Sequence, residues 1–239
     1  MPPNKSVPKT VPKHRRERER RRRAPSSRGA AFRRRLLRWY TRHQRTLPWR
    51  GIGDPYKVLV SEIMLQQTQV SRVTEFYDRF LQRYPTLEDL AAAPADHVRE
   101  SWEGLGYYAR ARNLHAAAQQ ILARHDGAFP SELDALRALP GIGRYTAGAV
   151  ASFAFGKNVA AVDTNAERVL GRVFGVRGPK KSARRGKRLW AIAESLVVQG
   201  RSSDLNQALM DLGATICTAA TPRCARCPVA PTCVSCRPT

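Results

Sequence analysis

The fold is decided by the stretch Leu139-Pro140-Gly141-Ile142-Gly143-Arg144-Tyr145-Thr146-Ala147-Gly148-Ala149, which leads to Val162-Asp163-Thr164-Asn165. Two glycines two positions apart, directly after a proline, do not suit a helix interior and predict a tight turn. The small and apolar residues from Arg144 to Phe155 predict a helix after this turn, and leucines at helical spacing within 131–139 predict one before it. The second helix would begin with free N–H groups, which suit a phosphate oxygen. For this segment alone, an ordinary αα-hairpin with a glycine corner is the alternative.

The charge of the chain indicates a polyanionic partner. The 239 residues are enough for one large or two small domains, and they carry a formal net charge of +23. The first 30 residues hold eleven Lys/Arg and two Glu, which contributes +9 and leaves +14 for the rest. Nucleic acid is the expected partner, with a membrane surface as the competing interpretation. We find no apolar run of about 18 residues and no signal peptide, so we expect no membrane association and a cytoplasmic location, on the nucleoid in a prokaryote.

The remaining pattern predicts an all-α protein with about ten helices, because no strand-type alternation of useful length occurs. Residues 1–29 are rich in Pro, Lys, Arg and Ser and are predicted to be a disordered basic tail. A first helix is predicted from about Ala31, and a second from Tyr56 to about Thr68. A basic loop at 178–186 is predicted to precede a helix at 187–198.

Two carboxylates are candidates for chemistry. Glu62 lies among Val60, Ile63 and Met64, where desolvation would raise its pKa and let it hold a proton near neutral pH. The alternative is a glutamate on the exposed side of an amphipathic helix. Asp163 or Thr164 is expected to cap the helix that follows. The N-terminus of this helix would hold the Asp163 carboxylate ionised, whereas capping alone would be a purely structural role.

Two further segments have side chains suited to DNA. The turn Gly104-Leu105-Gly106-Tyr107-Tyr108 places aromatic residues beside arginines, which suits stacking on bases or wedging into a duplex. Packing against the core is the ordinary role for a tyrosine, and we expect it for at least one of the two. The segment Gln66-Gln67-Thr68 can hydrogen-bond to base edges or face water.

All five cysteines lie in the last 23 residues, which indicates a local metal site in a reducing compartment rather than a disulfide framework. The spacing is Cys217-x6-Cys224-x2-Cys227-x5-Cys233. Four thiolates at this spacing can hold either zinc or a [4Fe–4S] cluster. Cys236 is left over and is treated as a bystander.

Together these motifs resemble the helix-hairpin-helix DNA glycosylase superfamily that includes endonuclease III. The segments Leu47-Pro48-Trp49, 61–70 (SEIMLQQTQV) and 104–113 (GLGYYARARN) resemble its adenine glycosylase, MutY-like branch. The resemblance covers roughly residues 31–233. It implies a six-helix domain with the hairpin at 51–159 and a cluster domain formed by 30–50 and 160–239, with the substrate cleft between them. It favours a structural [4Fe–4S] cluster over zinc, bound by Cys217, Cys224, Cys227 and Cys233.

The resemblance also implies roles for individual residues. Glu62 would protonate the adenine and later help to activate water, and Asp163 would stabilise the oxocarbenium-like sugar once the base has left the stack. Tyr145 and Asn165 would support the site. Gln67 and Tyr107 would wedge into the duplex. The residues expected to contact DNA are Gln66, Gln67, Tyr107, Gly141, Gly143 and Arg144.

The expected activity is hydrolysis of the N-glycosidic bond of adenine mispaired with 8-oxoguanine or guanine, by a monomer bound to double-stranded DNA. Bifunctional relatives carry a catalytic lysine where this chain has Tyr145, which suggests little or no β-lyase activity. Family members that recognise 8-oxoguanine usually carry a further C-terminal domain, which this sequence lacks after its cysteines, so the opposite-base preference stays open. One alternative is a T/G-mismatch thymine glycosylase, some of which share a tyrosine at position 145. The other is a non-catalytic DNA-binding protein, against which the presence of both carboxylates argues.

Overall fold

The computed structural model describes residues 26–236 of the 239-residue chain. These residues form eleven α-helices and two short 3-10 turns and contain no strand, which confirms the predicted all-α class. None of these helices is both long enough and apolar enough to cross a membrane. The helices are α1 Ser27–His43, α2 Pro55–Met64, α3 Val70–Arg83, α4 Leu87–Ala92, α5 Ala95–Glu100, α6 Ala109–His125, α7 Leu133–Arg137, α8 Arg144–Phe153, α9 Thr164–Phe174, α10 Ala183–Leu196 and α11 Ser202–Thr215.

Several helix boundaries differ from the prediction. Helix α1 begins at Ser27 rather than near Ala31, because the Ser26 hydroxyl caps it by accepting from the Gly29 N–H. The last residues assigned to the basic tail are therefore helical, while residues 1–25 of that predicted tail lie outside the described part. Helix α2 ends at Met64 rather than near Thr68, and the residues from 65 to 68 form a turn.

Helix α10 begins at Ala183, inside the segment that was predicted to be a basic loop. The hydroxyl of Ser182 accepts from the Arg185 N–H and caps this helix. The predicted loop is correspondingly shorter and ends at the cap. A Ser followed by helix-forming arginines is a start signal that the high charge of the segment obscured.

A first hydrophobic core is built from helices α2 to α8. Its largest fully buried side chains include Trp102, Phe80 and Leu59, and the rings of Phe80 and Trp102 meet edge to face at 5.7 Å between centroids. Helix α2 lies inside this core, with almost every residue from Tyr56 to Met64 buried. Its position explains why a short helix can carry a buried glutamate.

A second core is formed by α1, α9, α10 and α11. Phe32 and Leu36 of α1 pack there with Leu170, Leu189 and Leu212, and the cysteine-rich C-terminal segment covers one side of it. Two cores do not by themselves define independently folding domains. The predicted boundaries at 51 and 159 therefore stay predictions.

Candidate active site and nucleic-acid interface

A cavity of about 800 Å³ lies between α2, α8, α11 and the start of α9. It brings together Glu62, Tyr145, Asp163 and Asn165, which the sequence places up to 103 positions apart. The predicted DNA-contacting residues Gln66 and Gln67 also line it. The remaining residues predicted to contact DNA lie outside its lining; they are Tyr107, Gly141, Gly143 and Arg144.

Glu62 lies on the buried face of α2 and is only 4% exposed. Helix α2 starts with Asp54 as its cap and Pro55 in its first turn, so that Glu62 falls two turns later among apolar residues. Burial, with a smaller contribution from the charge of nearby Asp163, raises the pKa of Glu62 to about 7. The Tyr145 hydroxyl donates a 2.6 Å hydrogen bond to Oε2 of Glu62 and moderates the increase, as does the positive charge of Arg50. A carboxyl group in this environment can carry a proton at neutral pH.

Tyr145 lies in the first turn of α8, and its ring extends into the cavity. Burial and the nearby carboxylates raise its pKa well above the ordinary value for a tyrosine. The hydroxyl therefore keeps its proton at neutral pH and can donate it in the hydrogen bond to Glu62. It couples the helix after the glycine hairpin directly to Glu62.

Asp163, one of the two cap residues that the sequence allowed, is the N-cap of α9. Its Oδ1 accepts from the Ala166 N–H at 2.7 Å, and its Oδ2 accepts from the Asn165 side-chain amide at 2.8 Å. The Asn165 carbonyl oxygen in turn accepts from Arg168 at 2.7 Å, and the same guanidinium donates to the backbone oxygens of Cys217 and Gly213. Both oxygens of Asp163 are thus oriented, and the orientation extends to the cysteine-rich segment.

The extended segment before Asp163 is held against two helices. Asn206 of α11 is fully buried, accepts from the Ala161 N–H and donates to the Ser152 hydroxyl and the Val159 carbonyl. On the other side, a Cβ at Gly148 of α8 would lie 2.4 Å from the carbonyl oxygen of residue 160. The close approach of these backbones requires glycine at position 148. This packing fixes the distance between α8, which carries Tyr145, and the loop that carries Asp163.

A buried charge cluster beside the cavity was missed by the sequence analysis. The side chain of Asp211 in α11 has no exposed surface and accepts from both nitrogens of the Arg50 fork at 2.8 Å and from Arg45 at 2.6 Å. Burial alone would raise the pKa of Asp211, but the two guanidinium groups hold it below its ordinary value. Arg50 lines the cavity and acts on Glu62 through its charge. An acid among the leucines of α11 was the available signal, and it is the same signal that identified Glu62.

The glycine turn has the predicted helix–hairpin–helix form. Gly141 has φ +73°, and a Cβ there would lie 2.7 Å from Asn113 of α6, so no other residue fits without displacement. Gly143 has an extended backbone and is the N-cap of α8. Arg144 forms a 2.7 Å ion pair with Glu194 of α10, and its guanidinium stacks 3.8 Å from the Trp190 ring centre. The side chain is half exposed, so a DNA contact remains a prediction for it.

Two further turns adjoin the start of α3 and the start of α6. Gln67 and Tyr107 are non-glycine residues with positive φ, +61° and +50° respectively. Tyr107 is 64% exposed, which is unusual for a large aromatic side chain. Tyr108 is exposed as well, so the expectation that at least one of the two tyrosines packs into the core is wrong. The ring of Tyr107 is available to a partner.

A family model described as "HhH-GPD superfamily base excision DNA repair protein" matches residues 60–194. The chain belongs to this superfamily. The match covers more than half of the chain and includes Glu62, the hairpin, Tyr145 and Asp163. The family and the helix-hairpin-helix fold predicted from the sequence are therefore confirmed.

Three relatives of this superfamily member are informative. Human adenine DNA glycosylase is 45% identical over 212 residues, covering 85% of this chain and 39% of that protein. A thermostable thymine-DNA glycosylase structure aligns with a TM-score of 0.81 and 34% identity over 87% of this chain and 96% of that one. A non-covalent endonuclease III–DNA complex aligns with a TM-score of 0.72 and 26% identity over 84% and 91%. The chain spans about two fifths of the length of the mammalian adenine glycosylases that it matches.

In this superfamily member the five cysteines line one cavity of about 110 Å³ against the second core. They surround the cavity, but among residues 26–236 no three His, Cys, Asp or Glu side chains converge closely enough to hold a metal ion. Arg172 donates to the carbonyl oxygens of Cys217, Thr218 and residue 219, and thereby fixes the start of the cysteine segment. Cys236, treated as a bystander from the sequence, also lines this cavity.

Proposed function

We propose that this chain is a monofunctional DNA glycosylase that releases adenine mispaired with 8-oxoguanine or guanine. The observation that supports it most is the pair of carboxyl groups in one cavity, with Glu62 in apolar surroundings and Asp163 at a helix N-terminus. Base excision needs one group that can deliver a proton and one carboxylate that can oppose a positive sugar. The adenine glycosylase names of the relatives at 41–45% identity indicate the base.

In the proposed reaction, double-stranded DNA binds across the hairpin and the target adenine leaves the stack to enter the cavity. Glu62, protonated at neutral pH, donates to a ring nitrogen of the adenine, so that the N-glycosidic bond breaks with the electron pair leaving on the base. Asp163 faces the cationic sugar. Glu62, now ionised, accepts a proton from the attacking water, which restores the acid. Tyr145 carries no amine, so no Schiff base forms and the product is an abasic site.

Binding to DNA is supported by charge and by the hairpin. The N–H groups that begin α8 and the backbone of Gly141 and Gly143 are suited to a phosphate oxygen. The segment 177–188 adds seven Lys/Arg and no acidic residue, and six of the seven side chains are exposed. We expect a monomer to bind, with mispaired or oxidised duplexes as its preferred DNA.

We infer further that Cys217, Cys224, Cys227 and Cys233 hold a [4Fe–4S] cluster. A zinc ion needs its sulfur ligands to converge at about 2.3 Å from one point, whereas each iron of a cluster takes one thiolate at the edge of a larger volume. Cysteines that surround a cavity without converging fit the second arrangement better. The cluster would supply structural cross-linking of the C-terminal segment.

A second candidate is a thymine glycosylase acting on T opposite G. It is favoured by the 34% identity to the thymine-DNA glycosylase structure, of which this chain covers 96%. The two candidates differ in the leaving base, since a purine offers ring nitrogens that an acid such as Glu62 can protonate.

The test is single-turnover base release from duplexes that contain A opposite 8-oxoguanine, A opposite G, T opposite G, or only matched pairs, with alkali cleavage at abasic sites. Adenine release supports the proposal, and thymine release with adenine untouched supports the second candidate. Asp163→Asn serves as the control, because asparagine still caps α9 but carries no charge. It should retain DNA binding and lose base release by about 100-fold or more. Binding without base release from any duplex would refute both candidates and indicate a non-catalytic DNA-binding protein.

A further inference from the structure

The guanidinium of Arg110 joins two separate turns beside the cavity. Arg110 is the second residue of α6 and is only 6% exposed. One of its terminal nitrogens donates to three carbonyls at the end of α2 and in the turn after it, and the other donates to two carbonyls of the turn before α6. The five acceptors are Ile63 (3.1 Å), Met64 (2.6 Å), Gln66 (2.5 Å), Leu105 (3.1 Å) and Gly106 (3.0 Å).

Two of these hydrogen bonds fall at strained positions of the backbone. The described residues contain three non-glycine residues with positive φ, and two of them are Gln67 and Tyr107. The carbonyls of Gln66 and Gly106, which belong to the peptide groups directly before these two residues, both accept from Arg110. A positive φ is unfavourable for a non-glycine residue and persists only where the surroundings hold it. Arg110 is placed to hold both.

The environment of Arg110 also indicates a role beyond charge neutralisation. No carboxylate in the described part of the chain lies within ion-pair distance of it, and its Nε has no hydrogen-bond partner there. The end of α2 compensates the charge instead, because its last carbonyls carry partial negative charge. The planar fork can serve two turns at once, which a lysine ammonium at this position cannot do with the same geometry. The guanidinium also lies 5.6 Å from the centre of the Tyr107 ring.

We infer that Arg110 is a positioning residue that fixes the turn at Gln66–Gln67 and the turn at Gly106–Tyr107 as one rigid unit for insertion into the duplex. This inference rests on the proposed DNA-binding function, because it assigns the insertion to Gln67 and Tyr107. Arg110 itself does not contact the DNA. Its contribution is to keep both side chains in the conformation in which they enter the base stack together.

The experiment compares Arg110→Lys with Arg124→Lys, which makes the same change at an exposed position near the end of the same helix. In the free protein, hydrogen–deuterium exchange should become faster at amides 65–68 and 104–108 in Arg110→Lys only. On DNA, fluorescence of 2-aminopurine next to the target base should rise less than with the wild type. Single-turnover base release should slow by about 10- to 100-fold, the range expected for a misplacement of about 1 Å.

A double-mutant cycle separates positioning from general destabilisation. Tyr107→Ala should slow base release strongly in the wild type and much less in Arg110→Lys, because the ring is already misplaced there. A general loss of stability would instead leave the two effects additive. If Arg110→Lys does not fold, Gly106→Ala replaces it: a Cβ at this position meets no atom, yet φ +71° strains the same peptide group. Gly106→Ala should show the same smaller rise in 2-aminopurine fluorescence while its fold stays intact.

The inference would be overturned if Arg110→Lys showed the wild-type rate of hydrogen–deuterium exchange at both turns and if its effect on base release were additive with that of Tyr107→Ala. Failure of the proposed function would look different. In that case the wild type itself would release no base, while the exchange measurement on the free protein would still report whether Arg110 holds the two turns.

Discussion

The protonation of Glu62 can be tested by replacing it with glutamine, which has nearly the same shape and no charge. The Tyr145 hydroxyl can donate to the glutamine oxygen as it does to Glu62, so the packing should be retained. Burial raises the pKa of Glu62 from 4.5 to about 7. At about 1.4 kcal/mol for each pKa unit, the ionised form costs the folded state about 3 kcal/mol.

The sign of the pH dependence follows from this shift. Between pH 4.5 and 7 the folded protein holds a proton on Glu62 that the unfolded chain has released, so the free energy of unfolding falls as the pH rises. Glu62→Gln has no such group. The stability of the wild type relative to Glu62→Gln should therefore be unaffected below about pH 4.5, fall across this window, and settle about 3 kcal/mol lower above pH 7.

Urea denaturation of both proteins between pH 4 and 8.5 measures this difference. Glu103→Gln is the matched control, because this glutamate is exposed, and its difference from the wild type should stay within about 0.5 kcal/mol at every pH. The rate of base release should agree with the same titration: kcat/KM of the wild type should fall above pH 7 as the acid loses its proton, and Glu62→Gln should be inactive throughout. A stability difference between wild type and Glu62→Gln that does not change with pH would refute the reasoning, whatever the activities.

Three further changes test other parts of the site. Tyr145→Phe removes the hydrogen bond that lowers the pKa of Glu62, so the alkaline limb of the pH–rate profile should move to higher pH. Gly148→Ala places a Cβ 2.4 Å from a backbone oxygen, and thermal unfolding should show a loss of about 1–3 kcal/mol. Cys227→Ser removes a proposed cluster ligand, and the purified protein should show less bound iron and weaker visible absorption than Cys236→Ser; equal iron in the two variants would contradict the ligand assignment.

The sequence predicted the parts of the site that depend on local pattern. The glycine pair in 141–143 gave the hairpin, and the capping position of Asp163 followed from the helix after it. The burial of Glu62 was one of two interpretations that its apolar neighbours left open, and the structure decides for it because α2 lies inside the first core. For the hairpin and for the Asp163 cap, the physical cause lies within a few residues of the effect.

Other parts depend on residues that are far apart in the chain, and the sequence alone could not predict them. The turn at Gln66 was predicted to belong to a helix that ends near Thr68. In the structure the helix ends at Met64. The carbonyl oxygen of Met64 accepts a hydrogen bond from the guanidinium of Arg110, which lies 46 positions later in the sequence. The pairing of Asp211 with Arg50 spans 161 positions and leaves no periodic signal.

The difference between local contacts and contacts from distant parts of the chain also explains why the two carboxyl groups can have different roles in one cavity. Glu62 comes from the first core and meets one hydroxyl donor, whereas Asp163 stands at the edge of the second core with both oxygens accepting from N–H groups. The hydrogen bonds that orient each carboxyl group do not involve the other carboxyl group. Their distance depends on the junction of the two cores, where Asn206 and the close approach at Gly148 hold the loop before Asp163 against α8. A change at this junction should therefore reduce catalysis while leaving the pKa of Glu62 raised, because burial in the first core is the largest cause of that increase and the charge of Asp163 is a smaller one.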